Sequence, residues 1–251
     1  MSEVKLSKGK CIFLISIVVL YIIFGISVKA LVMIGVIDST VQLKSEDVTF
    51  GDLNITEAPY RLEIAKDFVT EKFVRNKGHI NLVYPLDAAP DSSYTNSEAV
   101  SYYLLWNALS KNRQTFDREI VYLEKYMLHP THHYMMWKLN ANDTAVSDGS
   151  NIATDADLRT LKSLYIAQMQ WPNEDYGKTF DTLRTALEKI AITSDSLFAP
   201  YGGVNADGSL WKTEEVWLSY ADFETFAILA EDSVEWQRVY QEMKKAVLKG
   251  Q

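Results

Sequence analysis

Cysteine is nearly absent. Cys11 is the only one in 251 residues, so no internal disulfide framework exists and the chain is not a small stapled scaffold. This assigns no compartment, because many large extracellular domains fold without bridges. An excess of positive charge is also lacking. Lys and Arg total 25 against 33 Asp and Glu, a formal net charge of −8, which argues against a nucleic-acid partner. Histidine is scarce, with four in all, and three of them fall in "HPTHH", His129 to His133. That spacing matches no strong ligand pattern and reads as a solvated loop, so no metal is expected. Nor is there a sequence repeat.

What is present is a globular composition, 47% hydrophobic and 23% charged, long enough for one sizeable domain plus an extension. The extension is N-terminal. Lys5, Lys8 and Lys10 precede "CIFLISIVVLYIIFGISV", Cys11 to Val28, without a charge, and after Lys29 the apolar run resumes. The length suits a spanning helix, with Lys29 snorkelling outward and the leading lysines held inside. No Ala-x-Ala-like site closes the run, as a cleaved signal peptide would require. The expectation is a cytoplasmic tail at 1–10, a signal-anchor at 11–37, a polar tether at 38–57 and an extracytoplasmic domain at 58–251. The protein would sit in the cell membrane as a single-pass protein, or be secreted if the segment is cleaved.

The domain reads as a series of amphipathic helices. Apolar stripes of helical period run through Leu62–Phe73, Val100–Ala108, Phe116–Met127, Leu158–Met169, Tyr176–Ile190, Tyr220–Ala230 and Trp236–Val247. Short turns, "SKNRQT", "PNED" and "EDS", join these stripes in pairs from the second onward. Long connections separate the pairs, at residues 77–96, 128–153 and 192–215. All would lie at one end of the array and lead into the second, fourth and sixth helices. Such loops are usually functional. They carry a turn signal at Asn205–Gly208 and a candidate strand at Tyr134–Leu139. This is the wiring of an α/α toroid or an α-solenoid.

The long-loop end gathers chemistry. Glu98 opens the second helix, with Tyr102 one turn later. Trp137 lies in the loop before the fourth helix. Asp155 and Asp157 open that helix, and Glu214, Glu215, Tyr220 and Asp222 lie at the opening of the sixth. Each has a plain reading. Thr154 with Asp157 resembles a capping box, Glu98 is a first-turn acid behind Asn96 or Ser97, and Trp137 alone suits a core. Together, two carboxylates and exposed aromatics are the equipment of glycoside hydrolysis. A helix N-terminus favours the ionised carboxylate, against an acid role for Glu98. An anionic Asp155 beside it would reverse that.

"NSEAVSYYLLWNA", "TFD", "YMMWKL" and "ATDADLRTLKSLYIA" together resemble glycoside hydrolase family 8, from about residue 58 to the end. The resemblance implies an all-α (α/α)6 barrel that hydrolyses a β-linked polysaccharide with inversion and without cofactor. It implies Glu98 as general acid, and Asp155 as the residue that binds and distorts the sugar while also opening its helix. Trp137 looks like a sugar platform, and Tyr102 matches a tyrosine after the acid. "LSYADFETF" is similar to the Pro-Ser-Tyr segment that puts Tyr220 near the cleft. Asp157, as helix cap, and Asp222 complete the substrate-binding candidates. The pattern departs at Ala99 and Val100, where the family has Gly and Gln, and no Tyr-Asp-x-x-Arg segment follows to supply the base. Asp222 or Glu215 could substitute. The expected toroid is therefore incomplete, and a protein partner or a dimer would cover its open side. Competing expectations are a polysaccharide-binding relative without a base, and a helical scaffold for protein partners.

Overall fold

The computed structural model describes residues 67–71, 73–74, 80, 94–146, 149–172 and 175–249. The apolar run at 11–37, the tether at 38–57 and most of the connection at 77–96 lie outside these residues. The chain divides into two units, Met1–Glu71 and Lys72–Gln251. In the first, residues 67–71 are helical. The second unit carries everything below. Among the described residues no helix is long and apolar enough to cross a membrane.

Three helical hairpins form the body. Asn96 is extended, and its side chain accepts the Ala99 N–H at 2.9 Å, which starts α1 at Ser97–Leu109. Asn96→Ala removes that cap and is expected to cost about 1 kcal/mol, read as a lowered urea midpoint with an unchanged slope. Lys111, in the left-handed region with φ 59°, reverses the chain into α2, Arg113–Tyr122, which continues as a π-helical turn over Leu123–Met127. The second hairpin pairs α3, Thr154–Gln170, with α4, Gly177–Ile190. The third pairs α5, Phe223–Ala230, with α6, Val234–Lys249. α1 packs chiefly on α3, and α3 also on α4 and α5. Small buried hydroxyls, Ser97 and Ser101 from α1 with Thr160 and Ser163 from α3, line these helices.

Two stripes differ from expectation. Leu158 and Leu161 are buried, but Leu164 and Ala167 continue the stripe and Met169 is 70% exposed. α3 has helices on several sides, so its buried face is broader than one four-residue ladder. Tyr220 is not in the sixth helix but in a 3-10 turn, Leu218–Tyr220. Asp222 caps the helix after it, accepting the Thr225 N–H at 3.1 Å. The buried face of α5 is then Thr225, Phe226 and Leu229, while Ala227 faces out. Phe226 meets Phe198 and Trp236 at ring separations of 5.3 and 6.0 Å, and all three are fully buried.

The long connections fold into small antiparallel sheets. β1, Tyr94–Asn96, pairs with β2, Lys138–Asn140, with Tyr94 opposite Asn140. β3, Ile152–Ala153, pairs with β4, Tyr201–Val204, which pairs with β5, Leu210–Lys212. The Asn205–Gly208 turn joins β4 to β5 as expected, with Gly208 at φ 84°. The expected strand at Tyr134–Leu139 is broken: single bridges at Met135 and Met136, then β2. The sheets tie all the long connections together at the end where α1, α3 and α5 begin.

Candidate active site

The first turn of α1 meets the loop before α3. The Ser97 N–H donates to the Trp137 carbonyl at 2.9 Å, and the Trp137 N–H donates to the Asn151 carbonyl at 2.8 Å. Trp137, half-buried, is thereby fastened between the residue before Glu98 and the strand that enters α3. Lys138 extends its ammonium over the rings of Tyr94 and Trp137, at 4.3 and 5.4 Å.

Asp155 is the second residue of α3. Its carboxylate takes an ion pair from Arg159, one turn on, at 3.1 Å. The same guanidinium donates to Ser101 Oγ at 2.8 Å and lies 3.7 Å over the ring of Tyr102. Ser101 Oγ donates in turn to the Glu98 carbonyl at 2.8 Å. α1 and α3 are thus laced together one turn inside their starts.

The electrostatics place the two acids and Tyr220 in one field. Burial raises the Glu98 carboxyl, Asp155 raises it further, and Arg159 opposes. Burial also raises Asp155, but the Arg159 ion pair and backbone N–H groups oppose it. The Tyr220 phenol is pushed up to about 12, first by burial and then by Asp155 and Glu98. The anionic neighbour expected to keep the proton on Glu98 is in place, with burial the larger cause. Burial raises both carboxyls, and Asp155 carries the bonded cation.

Asp157 departs from both of its expected roles. It is fully buried and accepts the Met135 N–H at 2.9 Å, so it neither caps α3 nor faces a cleft. Thr154 does not cap either: it donates to the Ala199 carbonyl at 2.7 Å, and the capping position is held by Ala153 without a side-chain bond. α3 starts beneath two loops, and Thr154 and Asp157 in its first turn satisfy loop backbone groups. Asp222 is half-buried and engaged with Thr225, 3.9 Å from Lys162. Glu215 accepts from the Tyr201 hydroxyl and the Trp217 indole, both at 3.3 Å. Glu214 accepts from Ser194 at 3.4 Å.

Arg159 escaped the sequence reading, although its place four residues after Asp155 on one helix face was a usable signal. So did a row of aromatics. Trp211 packs against Tyr201, Tyr201 against Trp217, and Trp217 against Tyr220, with ring separations of 6.2, 5.5 and 5.5 Å. Trp217 is 43% exposed. The histidine loop also differs from a solvated one. His129 stacks on Tyr134 at 5.0 Å, and its Nδ1 accepts the N–H groups of Thr131 and His132. Among the described residues no three His, Cys, Asp or Glu side chains are grouped to hold a metal.

Residues 69–250 match glycosyl hydrolases family 8, and the chain belongs to that family. Three solved structures are similar. One is an alpha-amylase from Clostridium perfringens, 19% identical, covering 72% of this chain and 51% of that one, with a TM-score of 0.59. The second is a family 8 endoglucanase from Klebsiella pneumoniae, 18% identical, covering 72% and 57%, with a TM-score of 0.59. The third is an endo-beta-1,4-glucanase from Acetobacter xylinum, 16% identical, covering 74% and 57%, with a TM-score of 0.58. At these identities the likeness is one of fold, mostly helical and consistent with an (α/α)6 toroid. The chain spans about half the length of the structures it matches. No match was found among curated proteins.

Proposed function

We propose that the protein is an endo-acting glycosidase that cleaves a β-linked polysaccharide of the glucan or xylan type with inversion. Glu98 donates the proton to the leaving oxygen. Asp155 holds the sugar and the water, the water's proton passes to Asp222 or Glu215 as base, and Trp137, Tyr102 and Tyr220 line the chain's path. Arg159 already covers one face of the Tyr102 ring, so Tyr102 offers the sugar its hydroxyl edge or its other face. Inversion calls for two carboxyls about 6.5–9.5 Å apart with a water between. The domain works outside the cytoplasm, tethered through the apolar segment at 11–37. The observation that carries the reading is the Glu98–Asp155 pair: two acids at adjacent helix starts, differing in what holds their charge.

A second reading has its own support. Asp222 and Glu215, the candidate bases, are each engaged with neighbours, and neither acts on the charge of Glu98 or Asp155. A polysaccharide-binding relative without a base would have this arrangement. The discriminating experiment is reducing-end release by the full chain from β-1,4-glucan, mixed-linkage glucan, xylan and chitosan, with starch as the α-linked control. Release from a β-glycan, with the new end first formed as the α-anomer, supports the hydrolase. Release from starch alone overturns the linkage. Affinity-gel retardation without release establishes the binding relative.

A further inference from the structure

The guanidinium of Arg159 has more to do than close an ion pair. It is anchored at three points: the Asp155 carboxylate at 3.1 Å, Ser101 Oγ at 2.8 Å, and the Tyr102 ring face at 3.7 Å. The Arg159 and Asp155 side chains are only 17% and 16% exposed. Within that shelter a cation held against the carboxylate favours its charged form, together with the backbone N–H groups. Planar stacking together with directed N–H donors is a property of arginine that lysine lacks. Glu98 lies on the opposite helix, and among the described residues Arg159 is the positive charge that acts on it.

We propose that Arg159 is a positioning residue that decides which acid keeps the proton: it holds Asp155 as the carboxylate and leaves Glu98 the donor. The inference rests on the hydrolase reading above and gives that site its division of labour. The charged and titratable groups around Arg159 are consistent with it. Glu98 and Tyr102 face it from α1, and Asp155 lies on its own helix with Asp157 buried behind. Tyr220 faces it from the 3-10 turn. Lys138 lies over Trp137 at the loop. Asp222 and Glu224 from the start of α5 are occupied by Lys162, at 3.9 and 2.5 Å. Among the described residues, every charge that displaces Glu98, Asp155 or Tyr220 belongs to this set. Loss of the guanidinium therefore raises both acids, Asp155 further because it is the direct partner.

The experiment is a carboxyl titration by carbon-13 NMR on the full chain and on Arg159→Gln and Arg159→Lys. The two resonances are assigned with Glu98→Gln and Asp155→Asn, and the pH profile of kcat is taken in parallel. In Arg159→Gln both titrations move upward, and activity on the acid limb falls roughly tenfold or more relative to the alkaline limb. Arg159→Lys restores the positions of the limbs, though with lower kcat. Titrations and limbs that coincide with wild type in Arg159→Gln overturn the proposal. A merely structural role would lower activity equally at every pH. Should Arg159→Gln not fold, the lysine variant decides. Unmoved titrations support control by charge, and displaced ones overturn it. A wild type inactive on every polysaccharide removes the hydrolase reading alone, because the titrations still report whether Arg159 partitions the proton.

Discussion

Glu98→Gln sharply reduces polysaccharide cleavage while leaving the fold intact. The loss in kcat is about 10²–10⁴-fold, the range ascribed to a positioned proton donor. Stability is unchanged or slightly improved at neutral pH. Glutamine has the shape of the protonated acid, and burial already disfavours the charged form of Glu98. The loss depends on the leaving group. A β-glycoside of an acidic phenol departs without help, so its cleavage suffers least; the natural polysaccharide, whose leaving alkoxide needs the proton, suffers most. The pH profile carries the sign. Glu98 must be protonated, so wild-type activity declines as pH rises through its raised pKa, and that alkaline limb vanishes from the residual activity of Glu98→Gln. Parallel loss on both substrate types would remove Glu98 from the acid role. Uniform loss with a collapsed melting temperature would make it structural.

The fold was legible where periodicity and turns act alone. The hairpins follow from apolar stripes with short polar turns, and Asn205–Gly208 from turn chemistry. Glu98, Asp155 and Tyr220 come from three segments; the alternation of short and long connections gathered them at one end, and the resemblance supplied their roles. What failed has one cause. Thr154, Asp157 and Tyr220 were read by rules for an isolated helix start, whereas the starts of α3 and α5 lie under or beside loops. There the Ala199 carbonyl and the Met135 N–H compete for the side chains, and tertiary partners prevail. Met169 failed for a related reason: an inner helix has no single buried stripe. Arg159 was missed because a charged residue in mid-helix normally reads as a solvated face.

Asp157→Ala has the larger effect on stability. Asp157 is fully buried, and one of its oxygens accepts the buried Met135 N–H. Removing it strands that donor and leaves a small cavity, for a loss of about 2–4 kcal/mol. Because Met135 begins the segment that sets Trp137 against the start of α1, KM rises more than kcat falls. Asp157→Asn separates the two contributions. Its amide oxygen keeps the Met135 bond, but it cannot ionise. Burial holds the Asp157 carboxyl well above its ordinary value, whereas the unfolded chain releases that proton near the usual pKa. Between those two values the folded state binds more protons, so stability falls as pH rises, by up to about 1.4 kcal/mol per pH unit for each such group. Burial raises Glu119, Glu98 and Asp155 in the same direction. Wild-type protein should therefore melt highest at mildly acidic pH and lose stability through neutrality. Asp157→Asn should flatten that decline and overtake wild type at neutral pH. Urea melts across the pH range decide it: parallel slopes would mean that Asp157 is ionised in the folded protein, with its charge met by groups around the Met135 N–H that outweigh burial.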